Sequence, residues 1–190
     1  MTELELYISS YFGVIEPNEL EIISSLFEVT TISKGDWFLK TGKQAEHLSF
    51  IKSGMLRVFV NTKDKEVTQW ISTKGYFVTD LSSFVLDTPA RWNIQALVDT
   101  KLFSISKENY KKIGDLVPKW HLLEKLFIAK CFTMLEDRIF SHLSMSAEER
   151  YDFFYVNNKE LFHQVPLQYL ASLLGMTPET FSRIRNKQLR

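Results

Sequence analysis

Two helical patterns lie in the stretch Val165-Pro-Leu-Gln-Tyr-Leu-Ala-Ser-Leu-Leu-Gly-Met-Thr-Pro-Glu-Thr-Phe-Ser-Arg-Ile-Arg185. The first pattern has a compact apolar face, formed by Leu170, Ala171 and Leu174. Gly175 can adopt the positive φ that ends a helix, and Thr177 is a favourable N-cap for the next one. Pro178 suits the first helical position because the N–H that it lacks has no partner there. The stretch therefore predicts a helix-turn-helix.

The second pattern has an apolar face and a polar face. Phe181 and Ile184 lie three residues apart and are predicted to point to a core. The polar face suits base edges in a DNA major groove and comprises Pro178, Glu179, Ser182, Arg183 and Asn186. Arg183 can donate to guanine O6 and N7, and Glu179 can accept from cytosine N4. Side chains placed to bind phosphates are Gln168, Thr177, Thr180, Arg185 and Lys187.

The same pattern has an alternative explanation. Glu and Arg four residues apart also form weak ion pairs on ordinary solvated helices, and helical hairpins with a glycine turn occur in many proteins that bind no DNA. The charge distribution favours DNA. The net charge is zero, but residues 1–30 hold six Glu and no basic residue, whereas residues 181–190 hold four basic residues, including Arg190, and no acid.

The rest of the chain predicts an α+β protein. Helical spacing covers Leu4 to Phe27, with a break at Pro17. Short β-rich runs separated by turns follow from Val29 to Ile105, as in an antiparallel roll or sandwich. The predicted segments are an effector-type domain over residues 1–117, a long helix and hinge over 118–145, and the helix-turn-helix domain over 146–190. In the last segment Ser146 and Glu149 have the spacing of a capping box.

The segment from Pro118 to Leu143 is apolar around most of a helix circumference. One explanation is a central helix buried within one domain. The other, which we favour because helix-turn-helix proteins bind two half-sites through symmetry, is a two-fold helix pair. The residues predicted to form this dimer contact are Leu123, Phe127, Ile128, Cys131 and Leu135.

Pro166 to Arg185 resembles the DNA-reading segment of the Crp/Fnr family of bacterial regulators, with Glu179 and Arg183 at the positions of that family's Glu and Arg. The spaced glycines and the segment Gly75-Tyr-Phe-Val-Thr-Asp80 resemble its effector domain, so the likeness covers nearly the whole chain. Ser146-Ala-Glu-Glu-Arg-Tyr151 resembles the subfamily common in Bacteroidetes. The resemblance implies a β-roll of the cyclic-nucleotide-binding (jelly-roll) type, a dimerisation helix and a winged-helix-like reader. The short interval from Tyr155 to Pro166 leaves little room for a wing.

The resemblance also implies an effector pocket, lined here by Val78, Thr79, Asp80, Leu81, Ala90, Arg91 and Trp92. Family members that bind cyclic nucleotides use a Gly-Glu pair and an arginine. Here Thr79-Asp80 replaces the pair, and Ala90 takes the arginine position. The next residue, Arg91, would point to the other face of an extended segment. Because a buried phosphate without its cation is costly, the sequence argues against a cyclic nucleotide, and no cofactor is predicted.

The sequence bears on three classes of function. The favoured one is a dimeric regulator that binds a palindromic DNA duplex, responds to an unknown small-molecule effector and has RNA polymerase as a candidate partner. The second is a ligand-sensing module acting through protein contacts. An enzyme is disfavoured because no phosphate loop, nucleophile elbow or metal motif is visible. A single cysteine, Cys131, excludes an internal disulfide, and no secretory signal or membrane span is predicted, so a cytoplasmic location is expected.

Overall fold

The computed structural model describes residues 1–188, so Arg190 lies outside the described residues. Two helices open the chain: α1 spans Glu3–Phe12 and α2 spans Pro17–Ser25. A capping box formed by Thr2 and Glu5 starts α1, and Pro17 occupies the first turn of α2. The predicted helical N-terminus with a break at Pro17 is therefore confirmed.

The strands follow in order: β1 Glu28–Ile32, β2 Trp37–Leu39, β3 His47–Ser53, β4 Leu56–Asn61, β5 Glu66–Ser72, β6 Phe77–Val78, β7 Asn93–Ala96 and β8 Thr100–Ser106. They form two four-stranded sheets with the orders β1-β8-β3-β6 and β2-β7-β4-β5. In the first sheet Phe50 on β3 pairs with Phe103 on β8 and with Phe77 on β6, and both pairings are antiparallel. The predicted antiparallel roll is present.

Three helices interrupt or follow the strands: α3 spans Leu81–Leu86, α4 Lys107–Leu116 and α5 Trp120–Ser144. The predicted long helix corresponds to α5, whereas α3 and α4 were not predicted. The C-terminal helices are α6 Ala147–Asn157, α7 Leu161–Gln164, α8 Leu167–Leu173 and α9 Pro178–Gln188. Within residues 1–188 no strand follows Ser106, and the short α7 occupies the interval in which a wing would be expected.

The chain divides into two compact units. The N-terminal unit consists of residues 1–58 and 72–132, and the C-terminal unit of residues 59–71 and the chain from Thr133 onward. The predicted boundaries at residues 117 and 145 do not coincide with this division. The difference arises because the hairpin of β4 and β5 contributes to the C-terminal unit and because α5 contributes to both.

Aromatic stacking organises the core of the N-terminal unit. Phe12 on α1 stacks on Trp120 and on Phe127, with ring centroids 5.0 and 4.6 Å away. Phe127 also meets Phe77 edge-on at 5.0 Å. These contacts join α1 to α5 and to the sheet edge, and they bury side chains that each contribute a large apolar area. None of the helices within residues 1–188 has the length and hydropathy needed to cross a membrane.

Candidate nucleic-acid interface

The turn between α8 and α9 is a Schellman motif. The Met176 N–H donates to Ala171 O at 3.0 Å, and the Gly175 N–H donates to Ser172 O at 3.1 Å. Gly175 has φ +67°, the left-handed conformation that glycine adopts without steric cost. A Cβ added there would also lie only 3.2 Å from the His142 ring. The positive φ ends α8 at the glycine predicted from the sequence, and the nearby His142 ring is a second, independent reason for glycine at this position.

Thr177 caps α9, as its position in the sequence predicted. Its hydroxyl accepts from the Thr180 N–H at 3.2 Å and donates to the Thr180 hydroxyl at 3.2 Å. The pKa of the Glu179 carboxyl is lowered, first by its own backbone N–H and then by the Thr177 side chain, which both favour the ionised form. The helix start thus holds Glu179 as a charged hydrogen-bond acceptor.

An aromatic cluster fixes the inner face of α9. Phe181 is fully buried, and its ring meets Tyr151 at 5.1 Å and Phe162 at 5.8 Å between centroids. Ile184 is also buried, so both side chains predicted to face a core do so. Because these two residues lie on one side of the helix, they determine which side faces outward.

The outer face carries the side chains predicted to contact bases. Pro178, Glu179, Arg183 and Asn186 are exposed, and Ser182 is half-buried. Glu179 and Arg183 lie one helical turn apart on this face. An acceptor and a forked donor therefore project together from a rigidly packed helix, as base recognition in a major groove requires.

The residues predicted to bind phosphates differ in their availability. Gln168 on α8 is exposed and Arg185 is half-buried. Thr177 and Thr180 already exchange hydrogen bonds with each other. Lys187 forms an ion pair with Glu148 on α6, with its Nζ 2.7 Å from Oε1. Its charge is therefore partly neutralised within the protein, which the sequence pattern did not indicate.

The two stretches predicted to form an effector pocket are joined by the Asp80 carboxylate, which is almost fully buried. One oxygen accepts from the Ser83 N–H at 3.1 Å and caps α3, while the other accepts from the Arg91 N–H at 2.8 Å and the Trp92 N–H at 3.4 Å. Val78 and Ala90 are also buried, and Thr79, Leu81 and Trp92 are half-buried. The carboxylate thus serves the protein's own backbone.

The one cation among the residues predicted to line the pocket is exposed to solvent. Arg91 is exposed, and its guanidinium lies over the Trp92 ring at 5.9 Å, whereas Ala90 is 3% exposed. A phosphate placed beside Asp80 would meet a negative charge that already accepts the local N–H donors. In the part of the chain that the structure describes, no group of three or more His, Cys, Asp or Glu is arranged to hold a metal ion.

Comparisons with known proteins agree with this architecture. Residues 29–115 match the family model of the cyclic nucleotide-binding domain. FixK2 from Bradyrhizobium japonicum is 17% identical, with a TM-score of 0.72 over 85% of this chain and 83% of FixK2. The c-di-GMP responsive global regulator CLP of Xanthomonas campestris is 16% identical, with a TM-score of 0.66 over 92% of each chain. The Thermus thermophilus catabolite activator protein is 20% identical, with a TM-score of 0.60 over 93% of this chain and 85% of that one.

The chain has the Crp/Fnr fold. The predicted α+β architecture, with its β-roll, long helix and helix-turn-helix, is confirmed at that level. No curated protein sequence matches the chain. The likeness to the Bacteroidetes subfamily stays a prediction.

Within this Crp/Fnr fold, the residues predicted to form the dimer contact separate into two groups. Leu123, Phe127 and Cys131 are buried in the N-terminal unit of their own chain and have little surface left for a second copy, so their part in a dimer contact stays a prediction. Of the three, Phe127 faces α1 through Phe12 and the sheet edge through Phe77. Burial also raises the pKa of the Cys131 thiol to about 11, which makes it an unreactive packing residue.

Ile128 and Leu135, the other two, belong to an exposed apolar row. We call it the α5 stripe; it consists of Ile128, Phe132, Leu135, Ile139 and Leu143, which are between 44% and 81% exposed. The spacing of four and three residues matches the seam of a coiled coil. Phe132, Ile139 and Leu143 were not singled out from the sequence, because the whole segment is apolar and periodicity alone could not tell the inward face from the outward one.

Two arginines that the sequence analysis did not single out donate hydrogen bonds to the end of α8. Arg150 on α6 donates from Nε to Leu174 O at 2.9 Å, and Arg138 on α5 donates from Nη2 to Leu173 O at 3.0 Å. Both accepting carbonyls belong to the last turn of α8, where no intrahelical donor is available. No local sequence signal marks these arginines, because the carbonyls that they bind lie 35 and 24 residues further along the chain.

Proposed function

We propose that this chain is a dimeric, sequence-specific DNA-binding transcription regulator that acts in the cytoplasm without catalysing a reaction. The single observation that carries the proposal is the geometry of α9: its apolar face is buried by Phe181 and Ile184, while Glu179 and Arg183 project from the opposite face. CLP is a global regulator and the Thermus protein is a catabolite activator, and their similarity to this chain supports the same class of function.

The α5 stripe supports the dimeric part of this proposal. Five large apolar side chains on one side of a helix are an unusual surface for a monomer, and a second copy would cover them by helix pairing. Two copies would place two recognition helices for half-sites about one turn of DNA, roughly 34 Å, apart. We expect Leu135→Glu to convert the dimer to a monomer in sedimentation experiments. Leu116→Glu, at an exposed apolar position on α4, is the control and should leave the dimer intact.

Selection of duplexes from a random pool tests DNA binding directly. We expect a palindrome to be enriched and its binding to weaken as salt is raised, because phosphate contacts release counterions. Arg183→Ala should weaken binding to that palindrome by about 1–3 kcal/mol and relax the preference at one base pair. Lys111→Ala removes an exposed positive charge on α4 and should change little. Enrichment of no palindrome by the wild type would refute the proposal.

For the sensor part, we propose an effector other than a cyclic nucleotide. The internal use of the Asp80 carboxylate and the outward position of Arg91 support this. The identity of the effector, and RNA polymerase as a partner, belong to the same proposal and follow from the regulator class alone.

The second candidate is a module that acts through protein contacts. It is favoured by the exposed Phe153 and Val156, which lie three residues apart on α6, and by the pairing of Lys187 with Glu148. The Arg183→Ala variant separates the two candidates, because a protein-contact module would show no duplex whose binding depends on that side chain.

A further inference from the structure

The C-terminal end of α8 has a complete set of hydrogen-bond partners. The last four carbonyls of a helix have no intrahelical donor. Here Ala171 O and Ser172 O accept from the Schellman turn, Leu173 O accepts from Arg138, and Leu174 O accepts from Arg150. Two of the four partners are thus charged side chains from α5 and α6. The point at which α8 turns toward α9 is therefore held from outside the helix-turn-helix.

Arg138 makes a second connection, to the hairpin of β4 and β5. Its Nη1 donates to Gln69 O on β5, and its guanidinium lies over the Trp70 ring at 5.2 Å from the centroid. Burial lowers the pKa of Arg138 to about 10. The group is part-buried, so its hydrogen bonds are shielded from competing water. The planar fork of one guanidinium thus joins α8 to β5.

Ser172 provides a second link between the same two elements. Its hydroxyl accepts from the Thr68 N–H at 2.9 Å and lies 3.5 Å from Glu66 O, to which it donates. Ser172 itself lies in the last turn of α8, two residues before the C-cap. The hairpin therefore contacts the reader through hydrogen bonds that need a specific geometry, and all of these groups belong to the C-terminal unit.

We propose that Arg138 is a positioning residue for DNA recognition, which ties the end of α8 to β5 and so sets the direction in which α9 leaves the turn. The inference rests on the proposed function. A recognition helix must be held to about 0.5 Å and 10–20° for several bidentate base contacts to form together. In a dimer both copies must meet this requirement on one duplex. Arg138 touches no DNA in this scheme; it acts through α8.

The test compares Arg138→Lys and Arg138→Gln with the wild type on the selected palindrome over a range of salt concentrations. Lysine keeps the charge but lacks the planar fork that bridges two carbonyls. We expect both variants to bind about tenfold more weakly, a change of about 1.4 kcal/mol. The slope of log K against log salt should be unchanged, since no phosphate contact is lost. Lys125→Gln, an exposed position on the same helix, is the matched control for charge and should bind as the wild type does.

Amide hydrogen exchange supplies a measurement that needs no DNA. In both Arg138 variants the Thr68 amide, which donates to Ser172, should exchange faster than in the wild type. Unchanged exchange, unchanged DNA affinity, tighter binding, or a salt slope lower by about one would each overturn the positioning role. Failure of the wild type to select a duplex would instead overturn the proposed function, while the exchange result would still report on the link.

Ser172→Ala guards against loss of folding in the arginine variants. The substitution removes one hydroxyl from a half-buried position and leaves Arg138 in place. We expect a weakening of DNA binding of about threefold, again with an unchanged salt slope. Suppose that Ser172→Ala binds DNA with full affinity while the Arg138 variants bind weakly because they are unfolded. The effect of Arg138 on DNA binding would then be an effect on stability, and the proposal would be overturned.

Discussion

Replacing Asp80 with alanine should destabilise the protein rather than remove a ligand contact. The carboxylate caps α3 through the Ser83 N–H, and loss of such a cap costs about 1 kcal/mol. It also accepts from the Arg91 N–H at 2.8 Å, and a part-buried donor left without its partner costs a further 1–3 kcal/mol or so. The expected loss is therefore about 2–4 kcal/mol, out of a typical total of about 5–15 kcal/mol.

Urea unfolding, followed by circular dichroism at one fixed protein concentration, measures this loss. Asp80→Asn retains an acceptor oxygen and should lose about half as much as Asp80→Ala. Asp115→Ala, at an exposed position on α4, should stay within about 0.5 kcal/mol of the wild type. Cyclic AMP should not raise the melting temperature of the wild type. The reasoning fails if Asp80→Ala is as stable as the control, or if cyclic AMP stabilises the wild type and loses that effect in the variant.

Two further substitutions test the reader. Phe181→Ala removes a fully buried ring that contacts Tyr151 and Phe162. Thermal unfolding should therefore show that the free energy of unfolding falls by about 3–5 kcal/mol, and by less in Phe181→Leu. Equal losses in the two variants would contradict the packing argument. The Ser146 N–H and hydroxyl lower the pKa of the Glu149 carboxyl in the folded state. The ionised carboxyl should therefore stabilise α6 fully above about pH 4.3, the ordinary pKa of Glu. This stabilisation should be lost as the pH falls through the lower pKa of the folded state. Glu149→Gln should flatten the fall of stability between about pH 5 and 3, and an unchanged slope would show that the capping box does not titrate as described.

Local signals in the sequence were sufficient for most of the fold and for the recognition helix. Pro17, Gly175 and the Ser146 capping box act within a few residues of themselves, so their effects can be derived without the tertiary structure. The alternation of Phe181 and Ile184 with polar residues likewise determined the outward face of α9. These features follow from backbone geometry and helical periodicity, which the sequence contains directly.

Other features depended on contacts between distant residues. Leu123 and Leu135 have the same side chain on the same apolar helix, and only tertiary packing decides that the first is buried and the second exposed. Lys187 pairs with Glu148, which lies 39 positions away in the sequence. Arg138 donates to Gln69 on β5, which lies 69 positions away. Helix α3 was missed because its six residues are too few to show a period.

The division of the chain has a practical consequence for protein engineering. A chimera joined at Phe132 would carry the recognition helix into a new protein but would leave Gln69 and Thr68 behind. A foreign hairpin would then have to accept the hydrogen bond from the Arg138 guanidinium and donate one to the Ser172 hydroxyl. Swapping sensors among such proteins should therefore succeed only when residues 59–71 travel with the C-terminal segment.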